Sequence, residues 1–459
     1  MKAALAKSEP YVSTTNACKL CKPLGACLAF RGIEGAVPFL HGSQGCATYM
    51  RRYIISHFRE PMDIASSSLG EKHAVYGGGP NLKLGLKNVM SKYQAKMIGI
   101  ATTCLTETIG DDVPMIVSEF HRDFAEIMES HGSPALVTVS TPSYSGTHME
   151  GFHAAVTAII DQLAQETPAH RRVTLFPGFV SPADTRYLKE IFEDFPLDAT
   201  ILPDISLTLD GPALTEYENL PSGGTRISEI RETGGSPAAI EFGRTLAGQG
   251  TAGRLLNERF SVPLHSSGMP IGLRESDAFF QLLEELSGRE TPEKHALERG
   301  RLIDAYVDGH KYVFGKRAIV YGEEDLVVGL TAFLAEIGVR PVLCASGGRS
   351  GRLEHAIHEV AEGLLPEPPE VREGVDFFSI AQEAESLEPD LLVGNSKGYH
   401  LAKKWNIPLV RVGFPIHDRF GGHRTLHVGY RGTQSLLDTI VNTVIEAKQD
   451  RSDIGYTYI

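Results

Sequence analysis

The chain has 459 residues, a formal net charge of -13, 42% apolar and 22% charged residues, and six cysteines. That length exceeds one ordinary core, so two or three globular domains are expected. The acidic balance argues against nucleic acid or an anionic membrane as partner, and no apolar run reaches the ~18–20 residues of a membrane helix.

The opening MKAALAKSEPYVSTTN has no apolar h-region and does not read as a signal peptide. Six thiols are too few for a disulfide scaffold, which points to a reducing cytoplasm with cysteines free for metal or redox chemistry. Further on, Cys21 stands in KLCKPLGA, where the N-terminal arm meets the apolar run PLGACLAFRGI. GAVPFLH (Gly35 to His41) is bounded by glycine and reads as a short buried strand. The turn after it, HGSQGC, delivers Cys46 just past the strand's carboxyl end, where open α/β sheets bind ligands.

MIGIATTC (Met97 to Cys104) is a second strand that ends in a cysteine, and DDVPMIVSEFHRDFAEIM is the helix after it. Asp111 and Asp112 near that helix start, with Pro114 in its first turn, suit a helix N-terminus. The alternation of strand, turn and helix continues through RVTLFPG, SPADTRYLKEIFEDF and DATILPD, then KRAIVYG, EEDLVVGLTAFLAEIG, VRPVLCASG, LEHAIHEVAEGLL, DLLVGNS and IPLVRVGFP, to a last helix TQSLLDTIVNTVIEAKQ. The fold class expected is α/β, with three Rossmann-like, doubly wound parallel-sheet domains of about 150 residues each. Boundaries are expected near 170 and 315, giving 1–170 with the arm and cluster cysteines, 171–315, and 316–459 with the final helix.

Phosphate loops are not evident. GHKYVFGKR has five residues between its glycines, lacks the Ser/Thr, and precedes a strand instead of following one. The chain is therefore expected to bind no ATP or dinucleotide by itself.

Cysteines carry more. Cys27 and Cys344 read as small buried hydrophobes. Cys18 and Cys21 form a CxxC, but no second pair completes a zinc site and no strand precedes it as in a thioredoxin motif. Three thiolates from Cys21, Cys46 and Cys104 would suit zinc, Cu(I) or an iron–sulfur cluster, and an ordinary [4Fe–4S] cluster wants a fourth.

KxCxPxGA, HGSQGC and TTCxxExIGDD, with cysteines 25 and 58 residues apart, resemble the nitrogenase component-1 family and its β-type chain in particular. SHFREP, TPSYSGTH and RVGFPIHDR extend the likeness over nearly the whole chain. The resemblance implies that Cys21, Cys46 and Cys104 ligate a P-cluster, an [8Fe–7S] group shared with an α subunit. Ser143 matches a serine that binds iron in the oxidised cluster, and Tyr49 an aromatic between that cluster and the catalytic cofactor. Arg59, Glu60, Asp304 and Asp308 match a cation site between two β chains, and a solvated acidic face is an equal reading of the last two.

The catalytic metallocofactor would lie in the α partner, within an α2β2 assembly served by an ATP-hydrolysing [4Fe–4S] iron protein. The function implied is electron relay in a nitrogenase-like reductase of dinitrogen or of a carbon–sulfur compound such as a methylthio-alkane. The alternative is a non-catalytic scaffold for cofactor assembly. In scaffold and protochlorophyllide-reductase relatives the interchain cluster is smaller and the β-type chain gives one ligand, so three cysteines favour the reductase.

Overall fold

The computed structural model describes residues 18–453, apart from 217 and 247. Thirteen strands among these residues form three sheets in which every pairing is parallel. The first contains β1 (Ala36–His41), β2 (Ala65–Ser66), β3 (Met97–Thr102) and β4 (Ala135–Val139), in the order β2-β1-β3-β4. The second contains β5 (Val173–Phe176), β6 (Ala199–Ile201), β7 (Ala239–Phe242) and β8 (Leu264–Ser267), ordered β6-β5-β7-β8. The third is ordered β11-β10-β9-β12-β13, from β9 (Arg317–Gly322), β10 (Arg340–Ser346), β11 (Glu370–Arg372), β12 (Leu391–Gly394) and β13 (Leu409–Arg411).

β1 and β3 are buried at every residue because helices cover both faces, so their sequences are continuous apolar runs. One hydrophobic core runs from the second sheet into the third, joining Val173, Phe279, Phe333 and Leu437. A second core joins Met97 and Val137 of the first sheet to Phe176 and Ala239 of the second, so the three sheets pack on one another through shared cores.

Two local features differ from the sequence expectation. Gly110, at φ 78°, closes an extra short helix, Cys104–Ile109, ahead of the expected one. That expected helix breaks at Phe124 (φ -129°) into Val113–Asp123 and Ala125–Ser130. The run after Cys21 is also a helix, Lys22–Arg31, buried at every position except Lys22.

Gly25 and Gly151 explain how that helix packs. A Cβ on Gly25 would collide with the carbonyl oxygen of His148, and one on Gly151 with that of Lys22. Absence of side chains at both positions lets helix Lys22–Arg31 lie directly against helix His148–Leu163. Cys21, immediately before the first helix, is thereby held beside the residues that precede the second.

Candidate metal-cluster site

The carboxyl ends of β1, β3 and β4 lie side by side, with His41 paired to Thr102 and Ala101 to Val139. Each strand hands its chain to one part of the site. After β1, Ser43 is the N-cap of helix Gln44–Phe58, and Cys46 is that helix's third residue. The Ser43 hydroxyl donates to Cys46 Sγ at 3.4 Å.

After β3, Thr103 caps helix Cys104–Ile109 through a capping box with Thr106, and Cys104 is its first residue. Thr103 Oγ1 donates to the carbonyl of His41 at 3.1 Å, tying the turn of Cys104 to the turn of Cys46. A Cβ on Gly42 would strike the Thr103 side chain, so the two turns touch only because that residue is glycine.

The loop after β4 closes the site. Thr141 donates from its backbone to Thr102 Oγ1 (2.8 Å) and from its hydroxyl to Thr102 O (2.7 Å). The following turn, Ser143–Ser145, brings the Ser143 N–H to Cys104 Sγ at 3.2 Å. Thr147 then pairs backbone to backbone with Cys21, and Lys22 Nζ donates to Ser145 Oγ at 3.0 Å. Cys21 is itself the N-cap residue of helix Lys22–Arg31.

Three thiols thus stand at three helix N-termini, where the backbone dipoles favour negative charge. Cys21 and Cys46 are half-buried and Cys104 is exposed. Tyr49, one turn beyond Cys46, is 42% exposed, with its ring 4.8 Å from that of Tyr53. Burial pushes its phenol pKa upward, Tyr53 reinforces the shift by hydrogen bonding, and the charge of Cys21 adds to it.

Two buried histidines brace these loops, and sequence reasoning missed both. His41 bonds Ser67 Oγ through Nδ1 (2.9 Å) and Asp111 Oδ2 through Nε2 (3.0 Å). Burial holds its pKa down despite the Asp111 carboxylate. His148 accepts from the backbone N–H of Leu20 at 3.3 Å and pairs at 3.1 Å with Glu323, the residue just past β9 of the third sheet. The only sequence signal was a histidine that opens one motif, HGSQGC, and one that closes another, TPSYSGTH.

The remaining cysteines are elsewhere. Cys27 and Cys344 are fully buried, and burial raises both thiol pKa values, that of Cys344 to about 12. Cys18 packs into the core beneath the third sheet and is likewise raised to about 12 by burial.

Arg59 caps helix Gln44–Phe58 in the left-handed conformation (φ 63°) and donates to His417 O at 3.3 Å; it is exposed, and Glu60 half-buried. Asp304 and Asp308 share the exposed side of helix Glu293–Val313, with Val307 72% exposed between them. Among the described residues no three His, Cys, Asp or Glu side chains converge as one metal ion requires. The cysteines therefore do not form a zinc-type site, and Glu60, Asp304 and Asp308 do not form a cation site within one chain.

The donor set fits an iron–sulfur cluster. It offers soft sulfur ligands, hydrogen bonds onto two of the three sulfurs, and helix N-termini that offset the anionic charge of a thiolate-held cluster. Cys104 is exposed and Tyr144, beside Ser143, is 69% exposed, so one side of the site is open to solvent.

Comparison with known proteins shows the family. Residues 21–445 match the family described as nitrogenase component 1 type oxidoreductase. The nitrogenase molybdenum–iron protein beta chain of Clostridium pasteurianum is 36% identical, covering 94% of this chain and 93% of its own. The nitrogenase vanadium–iron protein beta chain of Trichormus variabilis is 34% identical, with 94% of each chain covered. Among solved structures, a chain of "Nitrogenase Cp1 at pH 6.5" superposes with a TM-score of 0.93 at 34% identity, over 98% of both chains.

Proposed function

Because the chain belongs to the nitrogenase component 1 family as a β-type chain, we propose that it is the electron-relaying β subunit of a nitrogenase-like reductase. In this reading Cys21, Cys46 and Cys104 are its ligands to a P-cluster completed by an α subunit. The observation that carries the reading is the placement of those three cysteines, each at a helix N-terminus, around the adjoining ends of β1, β3 and β4.

When bound, the cluster would supply reversible one-electron storage between an ATP-hydrolysing iron protein and a catalytic cofactor in the α subunit. This chain's residues would hold and insulate it. Ser43 and the Ser143 N–H support two sulfurs by hydrogen bonds, and such bonds set the potential of iron–sulfur centres. The Ser143 hydroxyl, on the same turn, is the candidate oxygen ligand for an oxidised state. Tyr49 is the candidate aromatic on the route toward the cofactor.

We also assign the exposed side of helix Glu293–Val313 to contact between two β chains in an α2β2 complex. Asp304 and Asp308 would there meet Arg59 and Glu60 of the second copy through a cation, since hard oxygen ligands suit Ca²⁺ or Mg²⁺. Among the described residues no helix is long and apolar enough to cross a membrane. A cytoplasmic complex is the setting that fits this reading.

The test is co-expression with the α-type partner. The complex should hold about eight irons per αβ pair, while the chain alone should hold no complete cluster, because three thiolates cannot terminate it. With iron protein, MgATP and reductant, it should turn over a small substrate. Screening dinitrogen, protons, acetylene and methylthio-alkanes identifies the substrate class. A complex that shows an ordinary four-iron signal and only passes its cofactor to another protein would establish the assembly scaffold instead.

A further inference from the structure

Lys397 belongs to none of the motifs that carry the family likeness. It lies on the short turn Ser396–Gly398, just past the carboxyl end of β12 in the third sheet. The Asn395 side chain accepts from its backbone N–H at 3.1 Å and fixes the turn. From there the side chain reaches back to the N-terminal arm, where Nζ donates to the carbonyl of Lys19 at 3.4 Å. Lys19 stands between Cys18 and Cys21. The ammonium is 5.8 Å from the ring centroid of Tyr53, which packs on Tyr49. It is half-buried, and the carbonyl it bonds belongs to the residue two positions before Cys21.

We propose that Lys397 sets the reduction potential of the cluster from behind Cys21, its positive charge favouring the electron-rich state. Adding an electron increases negative charge on the iron–sulfur core and its thiolates. A fixed cation in a poorly hydrated setting stabilises that added charge more than it stabilises the oxidised state. The third sheet thus contributes to a site whose ligands come from the N-terminal arm and from the turns after β1 and β3 of the first. Lys397 touches no reacting atom in this account and acts as a positioning charge.

The inference rests on the cluster reading above, and one experiment separates the two. The αβ complex is purified with wild-type Lys397 and with Lys397→Gln, Lys397→Met and Lys397→Arg; iron is counted and midpoint potentials are read by EPR-monitored redox titration. Gln keeps a donor for the Lys19 carbonyl and Arg keeps the charge. A full iron complement with a more negative midpoint in Lys397→Gln and Lys397→Met, and a wild-type midpoint in Lys397→Arg, is the expected result. If Lys397→Met fails to load, Lys397→Gln carries the measurement. An unshifted potential in fully loaded Lys397→Gln overturns the inference, as does an equal shift in Lys397→Arg. A wild-type complex without a cluster overturns the functional reading instead.

Discussion

The backbone N–H of Ser143 points at the sulfur of Cys104 across 3.2 Å, although 39 residues separate them. The contact exists because Thr141 locks the end of β4 to Thr102 at the end of β3. Ser143→Ala keeps this N–H and removes only the hydroxyl. The variant is expected to retain its iron and its dithionite-reduced EPR silence, while the signals of the oxidised cluster change. Unchanged oxidised spectra would remove Ser143 from the ligand set.

Cysteine substitutions should divide cleanly. Cys21→Ala, Cys46→Ala and Cys104→Ala should each lose most of the iron in the αβ complex. Cys18→Ala, Cys27→Ala and Cys344→Ala should keep it, since all three thiols are buried in apolar cores. Their cost should appear in stability instead, at about 1 kcal/mol each, as is usual for a small core deletion. Iron analysis beside urea unfolding reads both.

His148 holds the Cys21 arm by accepting the Leu20 N–H, and Glu323 orients its ring. His148→Leu would strand that buried N–H, which typically costs ~1–3 kcal/mol. Iron content should fall as well, because the residue after Leu20 is Cys21. Gly151→Ala should have a similar effect by a different route, wedging helix His148–Leu163 away from Lys22. Normal iron loading in both variants would show that the arm is positioned by other contacts.

Glu324 gives a pH dependence with a definite sign. It lines a cavity of about 330 Å³ among loops from all three sheets. Burial raises its carboxyl pKa from 4.5 to about 7, with Glu373 and Glu150 adding to the rise and Ser350 hydrogen bonds opposing it. Below pH 4.5 the group is protonated in both folded and unfolded chains. Between 4.5 and about 7 the unfolded chain releases the proton first, so stability falls as pH rises. Glu324→Gln should therefore match the wild type at pH 4 and exceed it at pH 8 by on the order of 2–3 kcal/mol. Urea midpoints at the two pH values measure the difference.

Asp304 and Asp308 test the assembly. If their shared helix face meets a second β chain through a cation, Asp304→Asn/Asp308→Asn should shift sedimentation from α2β2 toward αβ with iron content unchanged. Adding a chelator to the wild type should act in the same direction. An unaltered tetramer in the double variant would exclude the metal seam.

Local sequence determined the strands that carry the site and the cysteines that follow them. Apolar runs such as AVPFLH and MIGIAT are buried on both faces, and glycine, serine and threonine mark where they stop. Local signals did not reveal that PLGACLAFR is a helix, because burial on every side erases the 3.6-residue pattern that identifies one. Nor did they place Cys104 at the head of its own short helix, a placement set by the Thr103–Thr106 capping box and closed at Gly110. Only the tertiary structure brought His148 to Glu323, 175 residues away, and Lys397 to the carbonyl of Lys19, 378 residues away. The first contact joins segments at the ends of different sheets, and the second joins a turn of the third sheet to the N-terminal arm. Such loops carry no periodicity, and their partners are chosen by how the sheets pack, which no stretch of neighbouring residues encodes.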